Sequence, residues 1–438
     1  MKDPVAYLKS FPMFGSPDGF KPGLSRVEAM LEELGSPHQA LPVVHIAGTN
    51  GKGSTATILS SLLRALGVRV GTFTSPGLLS FTERFRIGQE EMGEEELKEE
   101  VELLKPVVER ISANPELGSP TFFEVVTALA FSYFHRSKVQ LAVLEVGLGG
   151  RLDATNVCSS LLSIITSIDL EHTSILGATE GEILREKAGI IKQGQPVVTG
   201  LREKGLLQEL AQLCSARKAS LYSLNRDFGY QDREVLATGQ SFSYNGLRHS
   251  LGDLKLSLLG RHQLDNACLA LAALELLTSD FGFPWSPEAL RSGLSEVSWP
   301  CRLEMMGEEP SVLLDGAHNP AAISRLADFL QSDLDYKNLY LLLGILADKE
   351  AAEMFSSLLP GARGVILTRS SNPRAARPED LYPAALEYLP AAKIMVEPDL
   401  YSALGEALEC IGEDDLLCIT GSLYTVSEAR KRLIKLLN

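Results

Sequence analysis

The chain has 438 residues, 45% of them hydrophobic, and a formal net charge of −15. That length exceeds one ordinary hydrophobic core and suits two domains. The acid excess argues against a general binder of nucleic acid or of anionic membrane, whose affinity depends on clustered Lys and Arg, so an anionic substrate must be met by local basic groups.

Apolar runs alternate with amphipathic stretches along most of the chain, the pattern of an α/β protein with a mainly parallel sheet. The first strong element is the apolar strand at residues 42–47. It runs into Gly48-Thr49-Asn50-Gly51-Lys52-Gly53-Ser54 and then into a small-residue helix over 54–66, closed by Gly67. This order gathers backbone N–H groups and the positive end of a helix dipole around one point, where the phosphates of ATP bind. Lys52 is then placed to reach the β and γ phosphates. The run departs from the ordinary P-loop pattern, since Ile46 and Gly53 stand where a glycine and a Ser or Thr are expected.

Residues 68–74, 140–146 and 161–167 read as further buried strands of the first sheet, each ending in a polar or glycine-rich loop. In open α/β sheets that edge is where ligands bind. Ser75, before Pro76 at the first of these ends, is either a turn residue or a hydroxyl ligand for Mg²⁺, and Arg84 and Arg86 follow as cations for an anionic substrate. Residues 94–108 form an acidic surface helix, with Leu97, Val101 and Leu104 at helical spacing. Glu145 ends a buried strand, where a carboxylate needs a cation or strong hydrogen bonds; a metal or a structural ion pair would serve. His172 follows the strand at 161–167 and is either a structural histidine or an imidazole joining Ser75 and Glu145 around Mg²⁺. By composition alone Lys187 is a surface lysine or a salt-bridge partner to Glu186.

Residues 227–258 change to short alternating segments around Asn245-Gly246, a two-residue hairpin signal, and so form a small antiparallel addition. A helix over 262–277 follows. Residues 297–302 break helical periodicity and divide the chain into domains at 1–297 and 298–438. The second domain has strands at 312–315, 339–343, 365–368 and 416–420, interleaved with helices in the manner of a smaller Rossmann-like fold without its own glycine fingerprint. The six cysteines are dispersed, with no Cys-x-x-Cys pair, and read as core residues. No N-terminal run has signal-peptide character and no segment reaches bilayer-spanning length, so the expectation is a cytoplasmic protein without a membrane partner.

Read in order, several runs resemble the folate-adding ligases, folylpolyglutamate synthase and dihydrofolate synthase of the Mur ligase superfamily. They are residues 48–54, 144–156, 165–192, His262-Gln263-Leu264-Asp265-Asn266-Ala267, Arg302-Leu303-Glu304, Asp315-Gly316-Ala317-His318-Asn319-Pro320 and Thr420-Gly421-Ser422-Leu423-Tyr424. The resemblance covers nearly the whole chain. It implies that residues 48–54 with Lys52 hold ATP, that Ser75, Glu145 and His172 are magnesium ligands, and that Lys187 is a CO₂-derived carbamate supporting a second Mg²⁺. Asn266, Arg302, Asp315 and His318 match family positions around the nucleotide, and the expectation for His318 or Asp315 is that it helps order the second domain's side of the cleft. For the pterin or folate the resemblance implicates Gly23, Leu24, Ser25, Arg26, Thr121, Phe122, Phe123, Glu124, Leu152, Asp153 and Ala154. An aromatic ring from Phe122 or Phe123 can pack on a flat heterocycle, and carboxylates can receive its N–H donors. Two positions depart from many relatives, Gly77 in place of His and Cys301 in place of Gly.

The implied reaction joins L-glutamate to a pterin or folate carboxylate at the expense of ATP, in a monomer. Alternatives are a peptidoglycan-precursor ligase, a P-loop switch or transport ATPase, and a nonenzymatic nucleotide-binding module. The first usually carries a sugar-nucleotide domain before the phosphate loop, and only 47 residues precede Gly48 here.

Overall fold

The computed structural model describes residues 3–13, 23–236, 238–307 and 311–437. The chain forms two compact units. The first runs to Glu234 and takes in Ser241–Ser257 and Gln263–Val297; the second comprises Val235–Gln240, Leu258–His262 and the chain from Ser298.

The first unit is built on an eight-stranded sheet made of β1 (Val43–Ala47), β2 (Val70–Phe73), β3 (Phe85–Ile87), β4 (Glu90–Glu91), β5 (Leu141–Glu145), β6 (Ser160–Ile165), β7 (Val197–Thr199) and β8 (Leu221–Ser223). Their order is β4-β3-β2-β5-β1-β6-β7-β8. The six strands from β2 to β8 pair in parallel, and β3 and β4 continue the edge as antiparallel additions. Every residue of β1 and β5 is buried, as parallel strands covered on both faces require. Because the run is parallel, the chain leaves β1, β2, β5 and β6 at the same edge. That edge carries residues 48–54, Ser75, the loop after Glu145 and the segment around His172.

Helices close the layers over this sheet. The helix Glu94–Ala113 opens on three glutamates, favourable at the positive end of its dipole, and buries Leu97, Val101, Leu104 and Val108. Helix Phe122–Arg136 starts from a capping box in which Thr121 and Glu124 satisfy each other's backbone N–H groups. These helices, Ser25–Glu33 and strands β2 and β5 share one apolar core. A second core gathers Ile165, Ile183, Leu184, Ile190 and Leu210.

The three-stranded addition consists of β9 (Gly229–Leu236), β10 (Gly239–Asn245) and β11 (Ser250–Leu256), in the order β11-β10-β9. Its turn lies further along than Asn245-Gly246. Gly246 N–H donates to the His249 carbonyl at 2.9 Å, which leaves Leu247-Arg248 at the tip. The buried Glu275 carboxylate fixes this by accepting the Arg248 N–H at 2.6 Å.

The second unit has a six-stranded sheet of β12 (Glu304–Met306), β13 (Ser311–Leu314), β14 (Leu339–Leu343), β15 (Gly364–Arg369), β16 (Ile394–Asp399) and β17 (Leu416–Thr420), ordered β12-β13-β17-β14-β15-β16. Among the described residues only β12 is antiparallel. The fold is therefore the two-domain α/β arrangement expected, with β12 and β16 added at the two edges of the second sheet. Among the described residues no helix is long and apolar enough to cross a membrane.

Candidate active site

The glycine loop is locked in place by backbone geometry and by the segment after β6. Gly51 has φ of 86°, and a Cβ there would stand 2.5 Å from Asn266 Oδ1, so the turn needs glycine on both counts. Gly51 caps the helix Lys52–Ala65, which therefore begins two residues before Ser54. Thr49 N–H donates to Ser167 O at 2.7 Å and Thr166 Oγ1 donates to Asn50 O at 2.7 Å. The Asn50 amide and the Ser167 hydroxyl both donate to Asp169 Oδ2, at 3.1 and 3.0 Å. Asn266 lies beneath the loop, receiving the Thr55 hydroxyl at 3.4 Å and donating to Gln263 Oε1 at 2.9 Å.

Two ammonium groups converge on one carbonyl of this loop. Lys52 Nζ donates to the Gly48 and Thr49 carbonyls at 2.9 Å each, and Lys187 Nζ donates to Gly48 O at 2.8 Å. Lys187 is 5% exposed, so it is no surface lysine. Burial, followed by the charge of Lys52, brings its ammonium down to about 7. An amine in that range is substantially neutral and nucleophilic at neutral pH.

Ser75 and Glu145 meet at the ends of β2 and β5, where Ser75 N–H donates to Glu145 Oε2 at 3.0 Å. Glu145 is 5% exposed. The Ser75 hydroxyl and this carboxylate are hard oxygen donors, the chemistry Mg²⁺ prefers. His172 is exposed and occupies a left-handed conformation, φ 53°, at the start of the short helix Thr173–Leu176. Among the described residues no three His, Cys, Asp or Glu side chains form a metal-binding group.

The loop after Glu145 folds tightly onto the Lys187 segment. Arg151 N–H donates to Glu186 O at 2.8 Å, and a Cβ on Gly150 would stand 2.9 Å from Lys187 O. Asp153 is buried and accepts Leu148 N–H at 2.9 Å, Thr155 N–H at 3.0 Å and the Thr155 hydroxyl at 2.5 Å. Burial pushes its carboxyl up, and these donors oppose the shift. Leu152 is exposed beside it and Ala154 is buried.

Of the remaining residues assigned to the pterin, Arg26 and Glu124 form a buried two-pronged ion pair, with Nε 3.0 Å from both carboxylate oxygens and an Nη at 2.9 Å. Glu124 also accepts the Thr121 N–H at 2.7 Å and its hydroxyl at 3.0 Å. The pair ties Gly23, Leu24 and Ser25, at the start of helix Ser25–Glu33, to the start of Phe122–Arg136. Phe122 is buried against Phe81, and the Arg84 guanidinium lies over both rings at 5.6 and 5.7 Å. Phe123 packs on Phe73 and covers Gly147, where a Cβ would stand 2.4 Å from its ring. A Cβ on Gly77 would stand 2.6 Å from Ser80 O, so this loop is fitted to glycine.

In the second unit Arg302 sits between two residues with positive φ, Cys301 at 62° and Leu303 at 46°. Strain of this kind persists where the surroundings over-determine it. Here Cys301 N–H donates to Glu304 Oε2 at 2.8 Å, Leu303 N–H to Asp315 Oδ2 at 3.0 Å and Gly316 N–H to Cys301 O at 2.9 Å. Arg430 clamps Glu304 in turn, at 2.8 and 2.9 Å. Burial pushes the Asp315 carboxyl up, opposed by Arg302. His318 Nδ1 lies 2.8 Å from the Gly316 carbonyl, which fixes the proton on Nδ1 and leaves Nε2 as the ring's acceptor when neutral.

The chain matches the models for the Mur ligase middle domain over residues 46–274 and the Mur ligase glutamate ligase domain over 301–423. It is 39% identical over 416 residues to the dihydrofolate synthase/folylpolyglutamate synthase of Bacillus subtilis, covering 95% of this chain and 96% of that one. The chain belongs to the folylpolyglutamate and dihydrofolate synthase family of Mur ligases. Another family member, the folylpolyglutamate synthase of Lacticaseibacillus casei, is 34% identical with 98% of each chain covered. Among solved family structures, Mycobacterium tuberculosis folylpolyglutamate synthase complexed with ADP superposes with a TM-score of 0.91 at 32% identity, covering 98% of this chain and 99% of that one. An FPGS–AMPPCP–folate complex superposes with a TM-score of 0.88 at 31% identity, covering 99% of each.

Sequence reasoning gave no role to Asp169, Glu304, Arg430, His45 or Thr155. Asp169 also binds Asn50, and Glu304 and Arg430 bind each other, across long stretches of chain, and only the folded contacts reveal these pairings. His45 carried one signal, a polar side chain inside an otherwise apolar strand.

Proposed function

We propose that the protein is an ATP-dependent ligase that adds L-glutamate to dihydropteroate, to reduced folates, or to both. The observation that carries this reading is the convergence of Lys52 and Lys187 on Gly48, at the sheet edge that also bears Ser75 and Glu145, in a chain aligned over nearly its full length with relatives of that name. That full-length likeness favours folate ligation over the peptidoglycan, switch-ATPase and nonenzymatic readings.

In the proposed reaction a substrate carboxylate oxygen attacks the γ-phosphorus of ATP, giving an acyl phosphate and ADP. The uncharged amine of glutamate then attacks the acyl carbon, the C–O bond to phosphate breaks, and the proton lost from nitrogen goes to the departing phosphate, leaving an amide and hydrogen phosphate. The loop at residues 48–54, through those of its N–H groups not already bonded to Ser167, and Lys52 hold the phosphates and oppose the charge that gathers on the β–γ bridge. Asn266 supports the loop, and Arg302, Asp315 and His318 correspond to family positions around the nucleotide. The Asp153 carboxylate receives ring N–H donors of the pterin, and Arg26, Thr121 and Glu124 brace the same pocket alongside Gly23, Leu24, Ser25, Phe122, Phe123 and Arg84.

Ser75, Glu145 and His172 would hold one Mg²⁺ and Lys187 a second, the ions supplying charge neutralisation at the phosphoryl oxygens. For this role the neutral Lys187 amine adds to CO₂ and loses a proton, becoming an anionic carbamate. A depressed ammonium and a buried setting support that modification. Residues 1–297 would then be the ATP- and pterin-binding domain and 298–438 the ligase domain of a cytoplasmic monomer. Purified protein given ATP, Mg²⁺, dihydropteroate or tetrahydrofolate, and glutamate should release ADP only when glutamate is present. Glutamate-independent hydrolysis, or none with either acceptor, would refute the assignment, and the preferred acceptor separates the two synthase activities.

A further inference from the structure

His45 lies in the middle of β1 and is fully buried, where an unsatisfied imidazole would cost several kcal/mol. Both of its nitrogens have partners. Nε2 is 2.8 Å from Thr155 Oγ1, and Nδ1 is 3.8 Å from Cys158 Sγ. Thr155 Oγ1 in turn lies 2.5 Å from Asp153 Oδ1. Cys158, His45, Thr155 and Asp153 therefore form one continuous chain from the sheet interior to the loop after Glu145.

The protons in this chain have one satisfactory order. Asp153 already accepts backbone N–H groups at both oxygens, from Thr155 at Oδ1 and from Leu148 at Oδ2, so a proton on either would face a donor. Its carboxyl must accept, and the Thr155 hydroxyl must donate to it. The Thr155 oxygen then takes its other hydrogen bond from His45 Nε2–H. That leaves Nδ1 as the acceptor for the Cys158 thiol, whose proton burial secures by pushing the group up to about 12. The reverse order would set Nδ1–H against sulfur, a weak acceptor.

We propose that His45, acting through Thr155, is a positioning residue that holds the Thr155 hydroxyl as a donor to Asp153 and so keeps in place an accept-only carboxylate that selects a flat heterocycle presenting N–H donors. The inference rests on the reading of Asp153 as a pterin contact. It adds the buried residues that, beside the backbone N–H groups of Thr155 and Leu148, hold that contact.

The test is equilibrium binding of dihydropteroate to the full-length protein, with KM for ATP and glutamate measured alongside. His45→Phe should weaken dihydropteroate binding about tenfold or more, the scale of one hydrogen bond to a charged group, while KM for ATP stays within about twofold. His45→Gln, whose amide N–H can still reach Thr155, should recover most of the affinity. Thr155→Val repeats the comparison with a near-isosteric side chain and serves if His45→Phe fails to fold. Unchanged dihydropteroate affinity in both His45→Phe and Thr155→Val, an equal loss for ATP, or no rescue by Gln would overturn the proposal. Wild-type protein that binds no dihydropteroate would instead overturn the pterin reading, and the proposal with it.

Discussion

Replacing His45 by Gln should flatten the loss of stability in mild acid. Burial, with the nearby Lys192 charge adding to it, brings the His45 imidazole from 6.5 down to about 3. Its folded pKa is thus depressed, so between those values the unfolded chain binds a proton that the native state refuses. Stability from this group is fully present above about pH 6.5 and is lost as the pH falls toward 3. At pH 5 the unfolded histidine gains about 2 kcal/mol from protonation, whereas at pH 8 it gains almost nothing. Gln does not titrate. Urea unfolding at pH 8 and pH 5 should therefore show the wild type losing about 2 kcal/mol more than His45→Gln across this interval. Equal losses in the two proteins would mean that His45 is protonated in the native state, and the hydrogen-bond order from Cys158 to Asp153 would be wrong.

Three further outcomes follow from the site. Glu124→Gln leaves the Arg26 guanidinium buried without its counter-charge and should cost about 3 kcal/mol or more in urea unfolding, much of which Arg26→Met with Glu124→Leu should restore. Gly51→Ala sets a Cβ against Asn266 at a positive φ; about 1–2 kcal/mol of backbone strain should appear as weaker ATP binding by calorimetry, and unaltered affinity would count against the loop as the phosphate site. Lys187 at about 7 has a neutral fraction near one half at pH 7, roughly a thousandfold above an ordinary lysine. Activity in CO₂-depleted buffer should fall and recover with bicarbonate, more steeply below pH 7 as the amine protonates, and Lys187→Arg should be inactive at any bicarbonate level.

The parts of the molecule legible in the sequence are those whose signal is local. The apolar run before Gly48 announced β1, and a carboxylate closing a buried strand announced that Glu145 needed partners, the Ser75 N–H among them. The Asn245-Gly246 pair announced a hairpin but misplaced its tip, because Glu275, thirty residues on, captures the Arg248 N–H. Strands β12 and β16 lie at sheet edges, and neither presents the continuous apolar run that marked their buried neighbours. The burial of Lys187 was equally hidden, since it depends on β1 carrying Gly48 to the end of the helix Glu180–Lys187. The pairing of Arg26 with Glu124 spans 98 positions and arises only when two helix starts are brought together. The family resemblance singles out Lys187, Arg26 and Glu124, and the fold shows the contacts that hold each of them.

The central claim is that ATP activates a substrate carboxylate, and the fate of one oxygen atom tests it most directly. Dihydropteroate or tetrahydrofolate carrying ¹⁸O in the reacting carboxyl group, turned over with ATP and glutamate, should yield inorganic phosphate bearing one labelled oxygen for each amide formed. Amide formation with unlabelled phosphate, or phosphate released without amide, would contradict it.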